Sequence, residues 1–133
     1  NLKLDRKYQE ILKQETRFEE YRTEDADLIV VAYGVVSRIV YSTVDQAREE
    51  GLKVGLLRPI TLWPFPSEAV QQAATRAKHL LAVELSTGQM IEDVRLAVEG
   101  RCPVHFYGRC GGVVPGGREI LEQYRKILAG GQN

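Results

Sequence analysis

The sequence predicts an α/β fold in three layers, with a mostly parallel sheet between two layers of helices. Two patterns predict it. Continuous apolar runs recur along the chain, each followed by an amphipathic stretch with a period near 3.6. Four such strand–helix units follow one another at intervals of about 25 residues, as right-handed βαβ crossovers require. Composition agrees, since 44% apolar and 27% charged residues in 133 suffice for one core with a solvated surface.

The elements follow in order. Residues 3–24 are highly charged and place Leu4, Tyr8, Ile11 and Leu12 at helical spacing. Residues 1–25 are therefore expected to form a charged helical arm from an upstream domain, with Phe18–Tyr21 the least regular part. The α/β domain proper is expected over 26–129, and 130–133 as a frayed tail. Leu28 to Tyr33 is a continuous apolar run, as in a strand buried on both faces. Val36, Ile39, Val40, Val44 and Ala47 then form a helical stripe that Gly51 ends. Lys53 to Arg58 predicts a second strand closed by Pro59, and the stiff loop from Trp63 to Pro66 leads to a helix that Ser67 can cap. Leu80 to Leu85 predicts the third strand, with a helix from Gly88 to Val98. Val104 to Tyr107 predicts a short fourth. A glycine loop over 108–117 precedes a last helix with Ile120, Leu121, Tyr124, Ile127 and Leu128 on one face.

Charge and cysteine content narrow the function classes. Lys plus Arg and Asp plus Glu both number 18, so there is no basic excess for nucleic acid or anionic membrane. No apolar run approaches the roughly 18 residues of a membrane span, and no signal-peptide segment is visible, so a cytoplasmic location is expected. Two cysteines, Cys102 and Cys110, are too few for an iron–sulfur cluster or zinc site and read as unpaired thiols. The single methionine is Met90, so the sequence reads as a piece of a longer polypeptide.

Ligands of open parallel sheets bind beyond the carboxyl ends of the strands. Those ends carry Gly34, Arg38, Arg58, the turn from Glu84 to Gln89, and the loop from Gly108 to Gly112 with Arg109. The three arginines suit an anionic ligand or a carboxylate-bearing neighbour, or pair locally with Glu84 and other acids. The Ser86-Thr87-Gly88-Gln89 turn fits a capping box. Glu92 and Asp93 would repel a phosphate there, and neither a dinucleotide nor a P-loop motif is present. Gly111 and Gly112 allow close backbone approach beside Cys110, which reads as an ordinary loop thiol. His79 and His105 lack the context of a nucleophilic triad, and Trp63 reads as a packing anchor.

Taken together, VAYG (31–34), GLKVGLLRPITLWPFP (51–66), VELSTGQMIEDVRLAVEG (83–100) and PVHFYGRCGG (103–112) resemble one family. It is the carboxy-terminal domain of the alpha subunit of 2-oxoacid:ferredoxin oxidoreductases. The 2-oxoisovalerate type is nearest and the 2-oxoglutarate type next. The resemblance runs from about Tyr8 to Ile127 and implies a transketolase C-terminal-like domain. It implies an enzyme that turns a 2-oxoacid, coenzyme A and oxidised ferredoxin into acyl-CoA, carbon dioxide and reduced ferredoxin. Thiamine diphosphate, magnesium and iron–sulfur clusters are expected in the complete complex and none on this fragment. The expected partners are an upstream pyrimidine-binding domain, a thiamine-diphosphate-binding beta subunit and, through other subunits, ferredoxin. No catalytic residue carries over. The matching positions Gly34, Arg38, Arg58, Gly88, Gln89, Arg109, Gly111 and Gly112 are expected to hold strand-end loops against neighbours. The alternative is a coenzyme A- or nucleotide-binding module using the strand-end arginines. The chain departs from the family at Cys110 and over Pro115 to Glu119, which puts the shape of that loop in question.

Overall fold

A computed structural model describes residues 16–85, 89–108 and 114–130. Along the chain run β1 (Phe18–Tyr21), β2 (Leu28–Val31), α1 (Gly34–Glu49), β3 (Val54–Pro59), α2 (Ser67–Arg76), β4 (His79–Glu84), α3 (Gln89–Val98), β5 (Val104–Gly108) and α4 (Gly117–Leu128). The sheet order is β1-β3-β2-β4-β5. The four strands read from the sequence pair in parallel, with Leu28 opposite both Val54 and His79, and Leu80 opposite Val104.

The strands alternate their side chains between two cores, as the two-residue period demands. Ile29, Val31, Leu57, Leu80 and Ala82 face α2 and α3. Leu28, Val30, Leu56, Leu81 and Val83 face α1 and α4. The core under α2 is lined by Ala69, Ala73, Ala74 and Ala77, so that helix lies close to the sheet. Across the other face, α1 packs on α4, and Thr43 Oγ1 lies 2.9 Å from the buried Tyr124 hydroxyl.

One expectation is corrected. Phe18–Tyr21 is not part of a helical arm but a fifth strand, antiparallel to β3, with Phe18 opposite Pro59 and Tyr21 opposite Leu56. The sheet thus begins before residue 26. Glu19 and Glu20 are exposed acids of an edge strand, where charge discourages further pairing, while the helix expected before Thr16 lies outside the described residues. Glu19 accepts from Arg58 at 2.8 Å and Glu20 from Arg76 at 2.9 Å. Arg48 then clamps the turn after β1, donating to Arg22 O, to Val54 O and through both terminal nitrogens to Asp25. At Gly55 an added Cβ would lie 2.5 Å from Arg22 O, so that crossing requires glycine.

Candidate functional site

The crossovers leave β2 and β4, which are neighbours, on opposite faces of the sheet. The helix after β2 joins the α1/α4 layer and the helix after β4 joins the α2/α3 layer. The carboxyl ends of β2 and β4 therefore form the topological switch point, where an open α/β sheet presents its ligand crevice. Gly34 stands there with φ at +62°, starting α1 from an extended Tyr33. Opposite it stands Glu84, 1% exposed, the last residue of β4.

Glu84 spends its carboxylate on the helix that follows. Oε1 accepts from the Met90 amide and Oε2 from the Ile91 amide, both at 3.0 Å. Unpaired first-turn amides are what an N-terminal anion site offers, and here an internal carboxylate takes two of them. The Ser86 hydroxyl expected as the cap lies outside the described residues. Tyr33, half-buried at the end of β2, has its phenol pushed up by burial and then by the Glu84 charge. Sequence reasoning treated Glu84 as one local carboxylate among several. The signal available was an acid closing an otherwise apolar strand immediately before a helix.

The structure separates the other expected residues. Arg38 is exposed on the second turn of α1. Arg58 is half-buried, turned toward β1, where it pairs with Glu19, and its Nε is buried without a hydrogen-bond partner. Tyr41 also donates to Glu19, at 2.9 Å. That pairing raises Arg58 above its ordinary range and lowers Glu19, first through the Tyr41 bond and then through Arg58. Gln89 is the exposed first residue of α3. Gly88, Arg109, Gly111 and Gly112 lie outside the described residues, as does Cys110. Cys102 is half-buried, and burial pushes its thiol up, away from the reactive thiolate. His79 and His105 meet at the opposite end of the sheet, with Nδ1 and Nε2 3.2 Å apart.

What gathers at the carboxyl ends is apolar surface. Of eight exposed large apolar side chains among the described residues, Phe18, Val35, Ile60, Leu62, Trp63 and Val114 are at or beside this end, whereas Leu96 and Phe106 are elsewhere. Trp63 is 77% exposed and anchors no packing among the described residues. Its loop is nonetheless pinned. Ile60 N and Thr61 N donate to Arg17 O, Arg17 N donates to Thr61 Oγ1, and Thr61 Oγ1 donates to Pro64 O. An apolar cluster held this way on a rigid scaffold has the character of a contact surface.

Residues 26–120 match the family described as pyruvate:ferredoxin oxidoreductase core domain II. The chain belongs to that family. Among individual relatives, it is 47% identical over 127 residues to the ketoisovalerate oxidoreductase subunit VorB of Methanothermobacter marburgensis, covering 96% of this chain and 36% of VorB. It is 39% identical over 109 residues to the 2-oxoglutarate synthase subunit KorA of Methanothermobacter thermautotrophicus, covering 82% of this chain and 29% of KorA. The chain thus spans about a third of the length of these relatives.

Two solved structures share the fold of this core domain II. One is a 2-oxoglutarate:ferredoxin oxidoreductase from Magnetococcus marinus with 2-oxoglutarate, coenzyme A and succinyl-CoA bound. It has a TM-score of 0.79 at 22% identity, over 90% of this chain and 21% of that one. The other is a split-gene transketolase, an inactive beta4 tetramer. Its TM-score is 0.73 at 18% identity, over 85% of this chain and 41% of that one. The transketolase-like α/β fold expected from the sequence is therefore the observed one, and the relatives are subunits of 2-oxoacid oxidoreductases. Among the described residues no group of three His, Cys, Asp or Glu is placed to hold a metal ion. No helix of the described residues is long and apolar enough to cross a membrane.

Proposed function

We propose that this core domain II organises the alpha subunit of a cytoplasmic 2-oxoacid:ferredoxin oxidoreductase without itself touching the reacting atoms. In this reading the complete enzyme decarboxylates a branched 2-oxoacid of the ketoisovalerate type. It forms acyl-CoA and passes the electrons to ferredoxin. Thiamine diphosphate, magnesium and iron–sulfur clusters would be held by an upstream pyrimidine-binding domain, a beta subunit and further subunits. The observation that carries the proposal is the strand-end face. The switch-point carboxylate Glu84 is committed to helix amides, while the surrounding loops present a pinned, exposed apolar cluster around Trp63. That is a surface prepared for another protein surface rather than for chemistry.

The test is turnover. The isolated chain, mixed with ketoisovalerate, coenzyme A, thiamine diphosphate, magnesium and a dye acceptor, is expected to reduce no dye. The complete enzyme containing it is expected to do so. Dye reduction by the chain alone would overturn the proposal.

A coenzyme A- or nucleotide-binding role for the same end is favoured by one observation, the exposed Arg38 beside Gly34. Calorimetric titration of the chain with coenzyme A and with ADP separates the two readings. Saturable heat with either ligand would support the second.

A further inference from the structure

The charges around the apolar strand-end face are sorted, and their sorting says what the face meets. Most arginines of the described residues have an acid: Arg22, Arg48, Arg58, Arg76, Arg101 and Arg125 all form ion pairs. Among the described residues, Arg17, Arg38 and Arg118 at this end form none, nor does Arg95 on α3. Arg38 lies three residues beyond the exposed Val35, hence on the same flank of α1. Arg118 lies in the first turn of α4, which packs against α1 there, since an added Cβ at Gly117 would sit 3.4 Å from Thr43 and 3.9 Å from Ile39. A cation in that first turn stands at the positive pole of the helix dipole, which disfavours it within this chain. On the opposite layer, the first turns of α2 and α3 carry Glu68 and Glu92, with Asp93 following. The α1/α4 side thus offers the unpaired Arg38 and Arg118, since Glu119 beside them accepts from Tyr107, and the α2/α3 side offers acids.

We infer that this face docks another protein surface of the same enzyme, one with an apolar socket for Trp63 and carboxylates opposite Arg38 and Arg118. The inference rests on the organising role proposed above and names the partner chemistry for it. Charge complementarity selects the occupant: uncommitted guanidiniums are satisfied by carboxylates, and a rim of opposite signs on two sides fixes the partner's orientation. Trp63 is the anchor, because an exposed tryptophan on a loop already pinned by hydrogen bonds loses little freedom on binding.

The test uses the complete enzyme, purified through a tagged copy of the chain and followed by native mass spectrometry across a salt titration. Trp63→Ala is expected to weaken subunit or domain association about tenfold or more at every salt concentration. The double variant Arg38→Glu, Arg118→Glu is expected to slow association and flatten its salt dependence. Lys126→Ala, at an exposed site in the last turn of α4 at the opposite end of the sheet, is expected to change neither. All four residues are exposed, so thermal melts should match the parent and exclude misfolding. Assembly unchanged in both test variants overturns the inference while leaving the organising role standing. Failure of the parent chain to assemble with any other subunit removes the organising role itself. Self-association of the chain alone that Trp63→Ala abolishes overturns the inference in favour of a second copy. Loss of coenzyme A or inorganic phosphate binding in the arginine variant, with assembly intact, overturns it in favour of a small anion.

Discussion

Glu84 Oε2 accepts the backbone amide of Ile91 at 3.0 Å from a position 1% exposed, and Oε1 accepts that of Met90. A carboxylate from the end of β4 thereby fastens the start of α3 to the middle of the sheet. The start of α3 is thus closed from within the chain, as a joint rather than an open anion site.

The first prediction follows from that joint. Glu84→Ala leaves two buried amides without their charged acceptor and is expected to cost roughly 2–4 kcal/mol. Glu84→Gln keeps one acceptor oxygen and should lose about half as much. Urea denaturation of both variants checks this. Equal midpoints for parent and alanine variant would show that the cap adds nothing.

The Thr43–Tyr124 pair makes an asymmetric prediction. Thr43 Oγ1 donates to Val40 O at 3.0 Å, so the Tyr124 hydroxyl is the donor in the 2.9 Å contact between them. Burial holds that phenol above its ordinary range. Tyr124→Phe leaves Thr43 still bonded to Val40 and should cost about 1 kcal/mol. Thr43→Val strands a buried hydroxyl and should cost about 1–3 kcal/mol. Chemical denaturation reads the order of the two; the reverse order contradicts the donor assignment.

The histidine pair sets a pH dependence. Burial, and then the neighbouring His79, holds His105 below its ordinary value of 6.5. The unfolded chain therefore binds the proton more readily than the folded one, and stability rises with pH across that interval. Its contribution is complete above about pH 6.5 and is lost as pH falls through the lower folded value. His105→Gln should flatten the urea midpoint between about pH 5 and pH 7. A midpoint as steep as that of the parent would remove His105 as the cause.

Gly55 tests the clamp on β1. A Cβ there would meet Arg22 O at 2.5 Å, a backbone atom that cannot swing away. Gly55→Ala is expected to destabilise by about 1–3 kcal/mol. It should also speed hydrogen exchange of the β1 amides, from Phe18 to Tyr21, more than those of β4. Uniform exchange across the sheet would mean that the crossing relaxes at little cost.

The four parallel strands and the four helices around them were legible because each carries its own period. The run Leu28 to Val31 is wholly buried, and the stripe through Val36, Val40, Val44 and Ala47 faces one core. The edge strand β1 was not legible. Its letters Phe18, Glu19, Glu20 and Tyr21 show neither the alternation of a half-buried strand nor a continuous apolar run, because its pairing is decided by Arg58, Arg76 and Arg48 from distant positions. Of the candidate site, the positions of Arg38 and Arg58 at strand ends could be read in advance, but not that Arg58 pairs with Glu19 while Arg38 is exposed. Trp63, read as a packing anchor, is instead the most exposed large apolar side chain among the described residues.

Periodicity and motif blocks are local properties of the chain, and they were enough for the fold class and the family. It took the packing of the crossovers to commit Glu84 to α3 and Arg58 to Glu19, and to leave Arg38 and Arg118, among the described residues, without an acid on the α1/α4 side. Those outcomes depend on which groups the crossovers bring within hydrogen-bond reach. A residue's partner is a fact of three-dimensional distance, and no local pattern encodes it.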